Sequence, residues 1–160
     1  YRMQKKMQIE LDKVWKQIYL YIKSKKDLLK LASIIDSESN NKKEKYIISS
    51  VFHNRIKKGM RLQSDPTVLY AKQFYTNKNL RTIYKNDLKK DSPWNTYTRK
   101  GLPQTPICNP GLDAIHAALN PIETNFLYFV ADGLGGHNFS SSLSEHKKNV
   151  KLWKNKILKK

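Results

Sequence analysis

Residues 126–139 read FLYFVADGLGGHNF. The run FLYFVA, 126–131, is aromatic and β-branched, which suits a pleated, half-buried strand. Asp132, Gly133, Gly135 and Gly136 then make a sharp turn, and His137, Asn138 and Phe139 read as the returning strand. This stretch carries the strand signal, and the segments around it carry helical periods. It therefore decides for α+β rather than all-α. The DGLGGH run lacks the spacing of a dinucleotide or phosphate loop.

Upstream, residues 92–111, SPWNTYTRKGLPQTPICNPG, hold four of the six prolines and two of the six glycines. They read as a fixed irregular loop, the kind of segment that carries binding function on a rigid scaffold. Trp94 and Tyr97 offer stacking faces there, and Asn95 and Asn109 offer amides. Leu112, Ile115, Ala118 and Leu119 mark a short helix stopped by Asn120 and Pro121. Downstream, a last helix starts near Ser144 and buries Leu143, Val150, Trp153 and Ile157.

Towards the N-terminus, Met7, Leu11, Val14, Ile18 and Ile22 form one helical stripe. Ser24 with Asp27 opens a second helix, whose buried stripe is Leu28, Leu31, Ala32 and Ile35. Asn41 with Glu44 opens a third, carried by Ile47, Ile48, Val51, Phe52 and Ile56 and stopped at Gly59. Asn54 and Arg55 stand on it where they face either a cleft or solvent. Asp65 and Pro66 read as the cap and first position of another short helix. Gln63, Ser64 and Asp65 lie just ahead of that helix, a place that can hold a carboxylate or a sugar hydroxyl. Residues 72–92 are Lys/Asn-rich and read as a solvent-facing loop with one short helix near Leu80–Tyr84. The fold expected is one α+β domain spanning residues 1–160. Its helices pack on a small, mainly antiparallel sheet built from the 92–111 and 126–140 regions.

In LASIIDSE, residues 31–38, Glu38 follows Ile34 and Ile35 by one helical turn. An inward-packing face would carry this carboxyl toward a cleft wall, where loss of water raises its pKa. A carboxylic acid still protonated near neutral pH can donate a proton to a leaving group. A solvated residue at a frayed helix end is the other reading of the same pattern.

The chain has 160 residues, is 39% hydrophobic, and carries a net charge of +18 from 31 basic and 13 acidic residues. It has the content for a real core. It contains no run of the ~18 apolar residues that would span a membrane. The positive charge favours a polyanionic partner, but it is mostly lysine spread along the chain rather than a concentrated arginine patch. With one cysteine, Cys108, and four histidines lacking an HxxxH pair, no metal site is expected. GxSxG is absent, which argues against a serine hydrolase elbow. A two-carboxyl glycosidase stays open, with Asp36, Asp65 and Asp132 as candidate partners of Glu38. A single-acid mechanism also fits.

Four segments together, LASIIDSESN, VFHNRIKKGMRLQSDPTVLYA, SPWNTYTRKGLPQTPICNPGLDAIHAALNP and FLYFVADGLGGHNFSSSLSEHKKNV, resemble the catalytic domain of the endolytic murein transglycosylases, or YceG-like proteins. The likeness runs in order from about residue 28 to 153. Family members usually read Glu-x-Glu-Thr after the LASI segment; here Asp36 and Ser39 flank Glu38, which takes the position of the catalytic acid. Gln104 and Thr105 replace a common Pro-Gly, and Trp94 a common Tyr.

The resemblance implies non-hydrolytic cleavage of peptidoglycan between N-acetylmuramic acid and N-acetylglucosamine. Glu38 acts as acid and then base, and 1,6-anhydromuramyl ends are left. It implies no cofactor, and a sugar groove lined or shaped by Gln63, Asp65, Asn95, Tyr97, Asn109 and His137. It further implies a membrane-anchored full-length protein with a LysM-like region outside this stretch, its catalytic domain on the periplasmic side of a bacterial inner membrane. Peptidoglycan synthases are expected as partners and nucleic acid is not. A basic module that binds nucleic acid or wall polymer without catalysis is the alternative.

Overall fold

A computed structural model describes residues 22–158 together with Lys5 and Ile9. The helix expected from Met7 to Ile22 falls almost wholly outside the described residues. Those described form five α-helices and one two-stranded antiparallel sheet, the expected α+β arrangement. The helices are α1 (Lys25–Glu38), α2 (Lys42–Lys57), α3 (Asp65–Thr76), α4 (Leu112–Leu119) and α5 (Leu143–Ile157). The strands are β1 (Tyr128–Ala131) and β2 (His137–Ser140).

Helix α1 starts where the Ser24 hydroxyl accepts the Asp27 N–H at 3.1 Å. Its stripe of Leu28, Leu31, Ala32, Ile34 and Ile35 is fully buried. Ile48 and Phe52 of α2 and Ala114, Ile115 and Ala118 of α4 complete that core. Asn41 caps α2 by accepting from the N–H groups of Lys43 and Glu44. Gly59, at φ 64°, takes the left-handed turn that ends it. His53, buried in α2, bonds the Ala118 carbonyl at 2.8 Å. Burial pushes its pKa down to about 4, so it ties α2 to α4 as a neutral ring.

The hairpin pairs Tyr128 with Ser140 and Ala131 with His137. Gly133 and Gly135, at φ 77° and 97°, supply the left-handed turn residues. The Asp132 carboxylate accepts from the N–H groups of Leu134 and Gly136 and so closes the turn.

Four expectations are corrected. Residues 92–111 add no strand to the sheet: their prolines withhold ladder donors, and the segment folds as successive turns. The one helical turn between α3 and residue 92 lies at Asp87–Lys89, not Leu80–Tyr84. It forms where Asp87 accepts from Lys72 Nζ and the Tyr84 N–H. The residue capping α3 is Ser64, and Asp65 is already helical. Finally, α5 lies against the hairpin without burying any residue completely, and Leu143 and Ile157 stay 50% exposed. Among the described residues no helix is long and apolar enough to cross a membrane.

Candidate active site

Glu38 is the last residue of α1, because Ser39 leaves the helix in an extended conformation. The buried stripe one turn earlier fixes where the carboxyl emerges. It emerges into a cavity of about 520 Å³ whose walls also include Arg55, Gln63, Asp65, Tyr97 and His137. Ser64 Oγ donates to Glu38 Oε1 at 2.5 Å. Ser64 itself is 1% exposed. Its N–H donates to Thr96 Oγ1 at 2.9 Å, and its carbonyl accepts from Thr67 Oγ1 at 2.7 Å. The segment is held further by the Gln63 N–H, which donates to the Thr96 carbonyl. Gln63 sits at φ 51°, a left-handed conformation that costs a non-glycine residue of order 1–3 kcal/mol. The backbone is thus strained where it presents Ser64 to Glu38.

Burial pushes the Glu38 pKa up from 4.5 to about 7, and the neighbouring Asp65 charge adds to the rise. The Ser64 bond and Arg55 pull the other way. Glu38 is therefore part protonated at neutral pH, the state a proton donor needs.

Arg55 of α2 is 7% exposed. Its Nε donates to the Leu127 carbonyl at 2.6 Å, and its Nη1 to the carbonyls of Arg61 and Leu62 and to Gln63 Oε1. It lies 5.2 Å from the centre of the Tyr128 ring. One guanidinium thus joins α2, the loop before α3 and the entry to β1, and holds a positive charge in the cavity wall. Across the cavity, Tyr97 OH donates to Asp65 Oδ1 at 2.5 Å. Burial, and then Asp65, raise the Tyr97 pKa, so the phenol stays protonated. Leu143, His146 and Trp153 of α5 close the remaining side, with the His146 ring stacked on Tyr128 at 5.1 Å. Burial and then Arg55 hold the His146 pKa below the usual 6.5.

The fold gathers Glu38, Gln63, Asp65, Tyr97 and His137 around this one cavity. It does not bring Asn95 or Asn109 to its walls. Asn95 is buried, and its side chain is used up within its own loop. Its Nδ2 donates to the carbonyls of Leu88 and Lys90, and its Oδ1 accepts the Tyr97 N–H at 2.8 Å. It therefore shapes the site by placing Tyr97. Asn109 is exposed in the loop before the buried Pro110. Trp94 offers no stacking face either: it is 7% exposed, packed among Tyr70, Phe74 and Tyr75.

Of the candidate second carboxyls, Asp36 is paired with Lys45 Nζ at 2.5 Å and accepts the Gly111 N–H. Asp132 closes the hairpin turn. Asp65 alone of the three lines the cavity. Among the described residues no group of His, Cys, Asp and Glu is arranged to hold a metal ion.

Sequence alone does not mark Tyr128 or His146, nor Glu44, whose carboxylate accepts the His137 N–H behind the cavity wall, and it leaves Arg55 facing either a cleft or solvent. Ser64 carried a signal in its place ahead of the helix; the carboxylate held there is the chain's own Glu38. Glu44 carried none, because it reads as a helix-capping residue.

The model of the YceG-like family matches residues 1–152. An endolytic murein transglycosylase of Bacillus subtilis (strain 168) is 47% identical over 121 residues, covering 76% of this chain and 32% of the relative. An endolytic murein transglycosylase of Streptococcus pneumoniae serotype 2 is 35% identical over 146 residues, covering 88% of this chain and 26% of the relative. The chain thus spans about a third or less of the length of these curated relatives. The crystal structure of a yceG-like protein from Listeria monocytogenes superposes with a TM-score of 0.71 at 40% identity, covering 89% of this chain and 42% of that one.

Proposed function

Because this chain belongs to the YceG-like family, we propose that its cavity cleaves peptidoglycan glycan strands as a lytic transglycosylase, with Glu38 as the proton-transfer group. The observation that carries the reading is a half-buried carboxyl, hydrogen-bonded to Ser64 and part protonated at neutral pH, in a cavity large enough for sugar rings. The relatives named endolytic murein transglycosylase supply the substrate class.

Protonated Glu38 gives its proton to the oxygen linking C1 of N-acetylmuramic acid to N-acetylglucosamine, and the C1–O bond breaks. The muramyl C6 hydroxyl attacks C1 and gives its proton to the Glu38 carboxylate. A C1–O6 bond replaces the broken one, and no water is consumed. Glu38 regains its proton and the strand ends in a 1,6-anhydro sugar. Arg55 and the Ser64 hydroxyl stabilise the carboxylate midway, and each also limits how far its pKa rises. Such general acid–base catalysis contributes typically ~10²–10⁴-fold.

The reading requires the site to work on the wall side of the inner membrane, in a full-length protein held at that membrane and near the synthases that make the strands. Asp65 favours a second reading, hydrolysis, since a second carboxylate in the same cavity could activate water.

Mass spectrometry of purified glycan strands after digestion separates the two. Anhydromuramyl ends from the native chain, lost in Glu38→Gln, are the expected result. Reducing ends overturn the non-hydrolytic step. Equal product from Glu38→Gln overturns the assignment of Glu38. No product from either leaves the wall-binding module as the surviving alternative.

A further inference from the structure

Glu44 begins α2 where a capping glutamate belongs, yet its carboxylate turns away from the helix. Oε1 accepts the His137 backbone N–H at 2.9 Å, and Oε2 faces His137 Nδ1 at 2.9 Å and accepts from Ser39 Oγ at 3.1 Å. The two residues are 93 positions apart, and their side chains are only 16% and 14% exposed. A Cβ added at Gly136 would stand 2.8 Å from Glu44 Oε1 and 3.1 Å from Asp132 Oδ2. The glycine before His137 is therefore what lets the carboxylate approach. The Phe129 and His137 rings meet in a T-shaped contact, centroids 5.3 Å apart and planes at 89°, which restrains the imidazole plane. With both Glu44 oxygens accepting, Nδ1 carries the proton, and in the neutral ring Nε2 is left as an acceptor. His137 lines the same cavity as Glu38.

We propose that Glu44 is a positioning residue that fixes the His137 tautomer, so that Nε2 forms a sugar subsite accepting a hydrogen bond from an O–H or N–H donor of the amino-sugar strand. This rests on the glycan-cleaving reading above and adds a residue and a polarity to it. The neighbouring wall donors are already engaged: the Tyr97 hydroxyl gives its hydrogen to Asp65, and Arg55 gives Nε and Nη1 hydrogens to backbone carbonyls and Gln63. His137 Nε2 adds a nitrogen acceptor to a wall whose acceptors include the oxygens of Glu38, Asp65, Gln63 and Tyr97. A sugar ring presents donors and acceptors together, so a wall able to answer both selects its orientation.

Replacing Glu44 by Gln puts an amide NH₂ where either Nδ1–H or the His137 backbone N–H must be accepted. If the NH₂ faces Nδ1, the ring proton moves to Nε2 and the subsite turns from acceptor to donor. If it faces the backbone, that N–H loses its partner and the dyad opens.

The test is binding of a soluble glycan fragment, measured by calorimetry in a Glu38→Gln background so that nothing is cleaved. The imidazole ¹⁵N shifts of His137 are followed alongside. Expected are a pyrrole-type Nδ1 and a pyridine-type Nε2 before any second substitution, and a shift of Nε2 when glycan is added. Glu44→Gln should then weaken the fragment about tenfold, the loss typical of one hydrogen bond of ~1.4 kcal/mol. Gly136→Ala reaches the same end by pushing Glu44 aside with a methyl group, and should also loosen the fragment.

A proton on Nε2 in the starting protein overturns the proposal, as does an Nε2 signal unmoved by glycan, or an affinity within twofold after Glu44→Gln. The tautomer reading needs no further variant, so a misfolded Glu44→Gln would not rescue the idea. If anhydro ends form normally while these measurements fail, the subsite is wrong and the cleavage reading stands. If the native chain yields no product, the cleavage reading fails on its own assay.

Discussion

A carboxyl kept protonated by burial must destabilise the fold at high pH, and Glu38→Gln measures by how much. In the unfolded chain Glu38 ionises at its ordinary 4.5, whereas in the folded protein it holds its proton to about 7. Below 4.5 both states are protonated and the group contributes no difference. Between 4.5 and 7 the unfolded state releases its proton first, so stability falls as pH rises. The step from 4.5 to about 7, at roughly 1.4 kcal/mol per pH unit, sets the full loss at about 3 kcal/mol. Glutamine has nearly the same shape, can still accept the Ser64 hydrogen bond, and never ionises. Its stability relative to the native chain should therefore be flat below pH 4.5 and climb by about 2–3 kcal/mol by pH 8. For a domain of this size that corresponds to a melting shift of roughly 4–10 °C. Urea denaturation followed by tryptophan fluorescence, run on both proteins from pH 4 to 8.5, gives the difference directly; other titrating groups cancel in it. A difference that does not change with pH would mean Glu38 ionises as it does in solvent. The argument for a proton donor would then fail, whatever the cleavage assay reports.

Ser64→Ala removes the hydrogen bond that holds the Glu38 pKa down. A charge-assisted bond of roughly 1.5–3 kcal/mol corresponds to about 1–2 pH units, so the alkaline fall of cleavage should move up by that amount. Measured pH–rate profiles check it, and an unmoved or lowered limb contradicts it. Arg55→Met takes away the donor shared by the Arg61, Leu62 and Leu127 carbonyls and one positive charge near Glu38. Stability should drop by roughly 2–4 kcal/mol in urea titrations at pH 5, where Glu38 is largely protonated in the folded state. The Glu38 carboxyl, followed by ¹³C NMR, should titrate at higher pH than in the native chain.

The elements themselves were legible where one local rule acts alone. The stripe from Leu28 to Ile35 packs as its spacing predicts, Ser24 caps α1, and FLYFVA turns back at its glycines. Trp94 turns inward and Asn95 shapes the site rather than lining it, because polarity and ring size do not reveal whether a loop residue faces a ligand or its own backbone. Only the carbonyls of Leu88 and Lys90 decide that for Asn95. The site was hidden in a more particular way. Three Ser/Asn-x-x-Asp/Glu openings, at Ser24, Asn41 and Ser142, each predict a side chain folded back on its own helix, and Ser64 is a further N-cap with Thr67 in place of the acid. Ser142 and Glu145 make the complete reciprocal box, and they lie outside the walls of the cavity. Asn41 makes only half of one, because Glu44 is drawn off to His137. Ser64 stands at an N-cap and makes no cap bond at all, because its hydroxyl is drawn off to Glu38. At α2 the Ser39 hydroxyl accepts the Asn41 N–H at 3.0 Å in place of Glu44, whereas at α3 the Ser64 hydroxyl is lost to the helix end. The Ser64 hydroxyl goes to Glu38 and the Glu44 carboxylate to His137, two side chains that line one cavity, where local preference and function conflict. Ser24 and Asp27 also stop at half a box, with Asp27 turned to Lys30, so an open cap marks this site only through the partner its side chain is drawn to, and that partner is visible only across the fold.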